Sequence, residues 1–400
     1  MKKIFFFCLM LFLVTCNKKS EIYWQAKNAT QFENKCSLKS KGLRKFQIND
    51  STALSYIPSI QILRKSDPNL LYFYNSFSNA IYVYSLSSDT LVKHIDFRTN
   101  GPNGILPKHT NHAILKSKDS VFIYDRTKQA FKFFKGNELW KKISLNQLKV
   151  RDSLLFLPVW QPSLYEKFLV KNEYLFISIH QYLSSHEINQ EIIHSALRIN
   201  YKTDSAKSYL PLPELYKEGN WGKQSAVKTH LFLSPGINNT MYYSFASDPF
   251  IYQYKNTNPL GKKFLGSKEF KKVLPLNRKR KNTPKEVSWR YSSTTPEYFM
   301  HRFDPQSKLF FRFSTLPNKP EDYNKGKKWP GFTIIIADSS FTKIGEEVFE
   351  KPVGWKKYAP RYSFCHNGKL YLFRRDLYNE DGNHLYFEEF EIQYHEEKQN

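Results

Sequence analysis

Leu70-Leu71-Tyr72-Phe73-Tyr74, the polar stretch from Asn75 to Asn79, then Ala80-Ile81-Tyr82-Val83-Tyr84 is the passage that decides the fold. Two short runs of aromatic and aliphatic residues are joined by Asn and Ser, which favour turns, and this predicts a pair of antiparallel strands. The pattern continues outward through Ser85 to Asp89 and a further run from Thr90 to Phe97. After Gly101-Pro102-Asn103-Gly104 it starts again with Val121-Phe122-Ile123-Tyr124, the turn Asp125 to Lys128, Ala130 to Phe134, Gly136-Asn137 and Leu139 to Leu145. No helical period interrupts these runs, so the chain reads as an all-β meander.

The larger period is about fifty to sixty residues, in the range of propeller blades. Four-stranded units are expected near 54–97, 109–147, 160–213, 226–275, 297–350 and 361–395. The last unit has only three convincing strands, Arg361 to Cys365, Lys369 to Arg374 and His384 to Gln393. An orphan run, Gly42-Leu43-Arg44-Lys45-Phe46-Gln47-Ile48, precedes the first unit. A propeller removes its free edge by closing the ring, so the orphan is expected to complete the last of six antiparallel blades. A β-sandwich with long insertions is the alternative. The 26 Tyr and 33 Phe suit pleated strands that bury large rings.

Gly101-Pro102-Asn103-Gly104-Ile105, Ser120-Val121-Phe122-Ile123-Tyr124-Asp125 and Phe131-Lys132-Phe133-Phe134 together resemble a blade of the six-bladed TolB-like and NHL-like propellers. With the N-terminal features described next, most of the chain resembles an uncharacterised lipoprotein family of the Bacteroidota, domain of unknown function 4221. The resemblance implies a fold and brings no activity.

The first sixteen residues, MKKIFFFCLMLFLVTC, place two lysines before an apolar run too short to be a permanent membrane span. Leu13-Val14-Thr15-Cys16 resembles a bacterial lipobox, with Thr15 in place of the usual Gly, Ala or Ser. That resemblance implies lipid attachment at Cys16, several acyl chains giving a stable anchor. The alternative is an ordinary secretory peptide that contains a cysteine. The expected organisation is a signal peptide over 1–15, a lipidated cysteine and polar tether over 16–41, and a single propeller over 42–397. No later apolar run is long enough to span a bilayer. The expected location is the outer membrane of a cell envelope, with the leaflet left open.

Net charge is +25. Nucleic acid is an improper partner for an exported chain, so the charge reads as solvated lysines or as contact with an anionic surface. Its densest run is Arg278-Lys279-Arg280-Lys281, and a second basic loop spans Asn318 to Trp329. Both are solvated blade connections, or contacts to anionic polysaccharide or lipid headgroups.

Gly-x-Ser-x-Gly, a P-loop, Cys-x-x-Cys and His-Glu-x-x-His are all absent. Asp304, Asp322, Asp338, Asp376 and Asp381 stand in turn contexts where Asx side chains cap the backbone. DLYNEDG, Asp376 to Gly382, lacks the alternating ligands of a calcium loop. No catalytic residue, metal or cofactor is therefore assigned. The candidate ligand positions are those expected to ring the mouth of a propeller channel: Asn103, Asn111, His112, His230, His301 and Arg361. Of the cysteines left after processing, Cys36 is expected to be reactive in the tether and Cys365 buried, without a bridge between them. Asp50-Ser51-Thr52, Asp89-Thr90-Leu91, Asp119-Ser120-Val121, Asp152-Ser153-Leu154 and Asp204-Ser205-Ala206 are similar to acceptors of O-linked glycosylation in Bacteroidota envelopes, and equally to tight turns.

The function these readings favour is a monomeric, lipid-anchored propeller that binds a protein or glycan. The alternative is a channel-centred hydrolase or lyase acting on an anionic glycan or peptide.

Overall fold

The computed structural model describes residues 34–48, 54, 57–63, 69–101, 103–106, 110–125, 128–148, 168–178, 194–218, 221, 230–270, 273–276, 283–319, 321, 331–350 and 353–396. Six four-stranded antiparallel sheets make up the fold. The first blade holds β2 (Ile60–Leu63), β3 (Leu70–Asn75), β4 (Ala80–Ser85) and β5 (Leu91–Asp96), after β1 (Cys36–Gln47). The second holds β6 (Thr110–Ser117), β7 (Ser120–Asp125), β8 (Ala130–Lys135) and β9 (Glu138–Ser144). The third comprises β10 (Leu169–Lys171), β11 (Tyr174–Ser178), β12 (His194–Asn200) and β13 (Ala206–Pro211). In the fourth are β14 (Leu231–Pro235), β15 (Thr240–Phe245), β16 (Phe250–Lys255) and β17 (Asn258–Phe264). The fifth contains β18 (Glu297–Asp304), β19 (Leu309–Thr315), β20 (Phe332–Ala337) and β21 (Lys343–Phe349). The sixth runs β22 (Phe364–His366), β23 (Lys369–Phe373), β24 (His384–Tyr394) and then β1.

Ring closure is as the sequence predicts: β1 pairs antiparallel with β24 as the outer strand of the last blade. Its start is different. The ladder continues past Gly42 through a bulge to Cys36 opposite Tyr394, so Cys36 to Lys41 are strand and not tether. Gly42 takes φ 122° at that bulge, which suits a residue without Cβ.

Strand alternation builds the core. Within β3, Leu71 and Phe73 face the sixth blade, while Leu70, Tyr72 and Tyr74 face the second. The same period of two distributes side chains at the other blade boundaries, giving six apolar wedges, one per interface. Middle strands such as β3, β4 and β20 are buried along their whole length, because a neighbouring blade covers each face. That explains their unbroken apolar runs.

Outer strands meet water. Each of the six carries lysine, at Lys39, Lys93, Lys141, Lys207, Lys262 and Lys343 among others. In all blades but the third, the pairing of the outer strand is also bulged. Charge and bulges both blunt an edge against pairing with another chain. A share of the net positive charge therefore belongs to the rim.

Cys36 and Cys365 are both buried and not bridged. Cys365 is placed as expected; Cys36 is a correction, since its thiol sits against Gly345 and donates to the Ile344 carbonyl at 3.4 Å. Cys365 lies opposite Leu370, Leu370 opposite Phe390, and Phe390 opposite Ser40, four residues along β1 from Cys36. Strand spacings of about 4.8 Å and a rise of about 3.3 Å per residue put the two Cα atoms roughly 20 Å apart. A disulfide needs about 7 Å or less.

Candidate functional site

A four-stranded meander alternates its connections between two faces. One face holds the first-to-second and third-to-fourth strand hairpins, all two to six residues long. The opposite face holds the longer connections, including 97–109, 212–230, 265–296, 316–331, 350–363 and 374–383. Every helix among the described residues is on this insertion face: α1 (Leu215–Glu218), α2 (Lys285–Thr294), α3 (Val353–Lys357), α4 (Arg375–Asp381) and two short 3-10 turns. It also exposes Phe77, Leu106, Leu274 and Trp289, the last at 52%. Tyr291 on α2 is buried and donates to the Leu274 carbonyl at 2.8 Å, which holds the helix so that Trp289 points outward.

A buried network supports the helices. Glu388 of β24 accepts from Ser40 Oγ (2.8 Å), Tyr358 Oη (2.8 Å) and Arg374 Nη1 (3.0 Å), with Lys357 Nζ at 3.2 Å. One carboxylate thus ties β1, the connection after α3 and the start of α4 to a single blade. Burial acts to raise its pKa, but the bonds from Tyr358, Ser40 and Lys357 outweigh this and hold it below the usual carboxylate range.

The predicted mouth residues belong to inner strands, or to the connections leading into them, of the second, fourth, fifth and sixth blades. Asn103 is exposed in the connection from β5 to β6. Asn111 and His112 are in β6; the Asn111 side chain lies outside the described residues, and His112 is buried. His230 is buried just before β14, its ring edge-on to Phe232 at 6.2 Å. Arg361 is partly buried ahead of β22, over the Tyr362 ring at 4.5 Å. His301 is a correction. It is 0% exposed between the fourth and fifth blades, with Nδ1 2.8 Å from Ser244 Oγ and its ring stacked on Phe310 at 5.1 Å. The strand pleat turns it toward Ser244 instead of the channel. Burial, with Arg312 and Arg302 nearby, keeps its pKa well below the ordinary value. Among the described residues no group of three or more His, Cys, Asp and Glu side chains is placed to hold a metal ion.

Cys16 and Arg278 to Lys281 lie outside the described residues, as do Asp322 and the Asp50 and Asp152 copies of the Asp-Ser/Thr pattern. In each of the other three copies the carboxylate bridges to a neighbouring blade. Asp89 meets Arg44, Asp119 meets Lys93 at 2.5 Å, and Asp204 meets Lys141 at 2.8 Å. All three copies are hairpin turns on the same face, and Thr90 and Ser205 are exposed. Asp304 and Asp338 cap turns as expected, accepting from Gln306 N and from Ser340 N and Thr342 N.

Sequence reasoning missed the buried cations. Arg312 of β19 is 0% exposed and donates to the carbonyls of Pro249 (2.6 Å), Leu265 (2.8 Å) and Asp248 (2.6 Å). Its guanidinium also lies 3.6 Å from the Tyr298 ring centroid. Burial lowers its pKa to about 10, so it stays charged at neutral pH. Lys132 is likewise buried, bonded to the Gly104 carbonyl at 2.5 Å and paired with Asp125 at 2.8 Å. The signal was in the strands: Leu309-Phe310-Phe311-Arg312-Phe313 and Ala130-Phe131-Lys132-Phe133 each hold one cation inside an apolar run. Such a cation must find buried acceptors. Chemically these groups fasten connections and blades together.

Six blades closed by an N-terminal outer strand define the chain as a six-bladed β-propeller. It belongs to the family described as domain of unknown function (DUF4221), whose model matches residues 34–348. A crystal structure of a member of that family from Bacteroides vulgatus is similar with a TM-score of 0.71 and 16% identity, covering 91% of this chain and 100% of that one. A putative exported protein from Bacteroides fragilis is similar at TM-score 0.55 and 10% identity, covering 91% and 97%. At these identities the likeness concerns the fold. No curated protein matches the chain.

Proposed function

We propose that this protein is a binding protein of the cell envelope, anchored to the outer membrane through lipid on Cys16, whose insertion face receives a protein or glycan. The observation that carries this reading is the separation of the two faces: all described helices, and the exposed Phe77, Leu106, Leu274 and Trp289, are on one of them. Exposed aromatic and aliphatic side chains on a rigid frame are what a partner site is built from. The buried Arg312, Lys132 and Glu388, by contrast, are engaged in fastening strands and connections of the fold. By sequence, Arg278 to Lys281 belong to the connection between β17 and β18, which also contains α2, and they favour an anionic partner. The protein acts as a monomer, and nucleic acid is not its partner. No helix among the described residues is long and apolar enough to cross a membrane.

Quantitative affinity capture from detergent-solubilised native envelope tests the reading. A partner recovered with the parent chain and with Ile237→Ser on the hairpin face, but lost with the Leu274→Ser/Trp289→Ser double variant, supports it. Equal recovery by all three chains refutes the assignment of the face.

A further inference from the structure

The propeller has a hairpin face that is built differently from the insertion face, and the chain enters the fold there. Asn34 and Lys35 lead into β1 at the end where β24 finishes, and His395 N donates to the Lys35 carbonyl at 2.9 Å. Both described chain ends therefore leave side by side at the hairpin end of the last blade. Any lipid carried on Cys16 is joined to the fold through Asn34, only eighteen residues further on.

Most acidic side chains on that face are partnered, while Glu138 beside the second blade's hairpin is exposed. Asp89, Asp119 and Asp204 are neutralised by Arg44, Lys93 and Lys141. Asp304 is buried, accepting from Ser307 Oγ and Gly368 N. Lys118, Lys255 and Lys308, at hairpins of the second, fourth and fifth blades, are exposed. Hairpins of two to six residues make this face low, with no helix among the described residues in the way of close approach.

We propose that the hairpin face is turned toward the bilayer that carries the anchor, with Lys118, Lys255 and Lys308 meeting its anionic lipid headgroups, and that the insertion face points away. This rests on the lipid-anchor reading above. Each lysine adds attraction within a Debye length of the headgroups, and it is the entry of the chain at this end that selects this face over the one to which Arg278 to Lys281 belong by sequence. Strands of about six residues rising roughly 3.3 Å each separate the two faces by about 20 Å, before loops are added. A partner on the Trp289 side is then met in the aqueous space, not in the lipid that holds the protein.

The test uses the full lipidated chain in vesicles of phosphatidylcholine, with or without phosphatidylglycerol, containing a headgroup-bound acceptor dye. A donor is placed at Ser88→Cys on a hairpin or at Glu286→Cys on α2, the unsubstituted chain giving the background from native thiols. The Ser88 label should lose more fluorescence than the Glu286 label, and the difference should widen with phosphatidylglycerol. The K118Q/K255Q/K308Q variant should abolish that widening. Equal losses from the two labels, or a larger loss from Glu286→Cys, overturn the orientation; a difference indifferent to phosphatidylglycerol overturns the role of the lysines. Flotation of the same samples separates the remaining case. A chain that does not float with vesicles refutes the anchor, and the orientation with it.

Discussion

Replacing Arg312 by methionine should destabilise the domain by about 3 kcal/mol. The guanidinium serves three backbone carbonyls that no substitution can remove: those of Asp248, Pro249 and Leu265. Each loses a charged donor, at about 1.5 kcal/mol, the low end for such a bond. The Tyr298 ring, 3.6 Å from the guanidinium carbon, loses a cation–π contact of about 1 kcal/mol. Relief from burying a cation offsets part of this total. Methionine fills most of the volume, so the loss reports hydrogen bonds more than a cavity. Arg312→Lys should fall between parent and Arg312→Met, because an ammonium lacks the planar fork that reaches all three acceptors. Urea unfolding of the Cys16→Ser chain, followed by fluorescence and circular dichroism, provides the measurement. An Arg312→Met chain within about 0.5 kcal/mol of its parent, the usual range for inconsequential surface changes, would refute the view that this residue fastens the fourth blade to the fifth.

Phe46 of β1 is fully buried against Tyr84 and Phe387, at 5.7 and 5.8 Å between centroids, so Phe46→Ala should cost about 3–4 kcal/mol in the same assay. A loss below about 1 kcal/mol would mean that β1 does not close the ring in solution. His301 stays neutral in the folded state well below its ordinary pKa, whereas the unfolded chain takes up the proton near pH 6.5. Its contribution is complete above about pH 6.5 and declines by up to about 1.4 kcal/mol per pH unit below it. His301→Gln should flatten the fall in urea midpoint between about pH 7 and pH 5, and an unchanged slope argues against the buried placement. Burial, with Glu347 nearby, pushes the Cys36 thiol up to about 11. Neither Cys36 nor Cys365 should alkylate in the native domain and both should after denaturation; rapid native labelling of Cys36 would return it to the tether.

Much of this molecule is determined by local sequence. The runs around Leu70 to Tyr84 and Val121 to Phe134 specify strands and turns, because backbone propensity and a period of two act between near neighbours. The closing role of Phe46 was legible for the same reason, as an unpartnered strand before a blade that lacks one. The stretch from Cys36 to Lys41 was not, since CSLKSK is polar and becomes strand only through its pairing with Gln393 and Tyr394 at the far end of the chain. Tertiary structure likewise decided that His301 faces Ser244, that Arg312 finds carbonyls in the preceding blade, and that Glu388 gathers Ser40, Tyr358 and Arg374. These contacts join residues from 14 to 348 positions apart. No local pattern encodes them. Ring closure brings such residues together, and only then do burial and hydrogen bonding fix which charges are structural and which face is left to meet a partner.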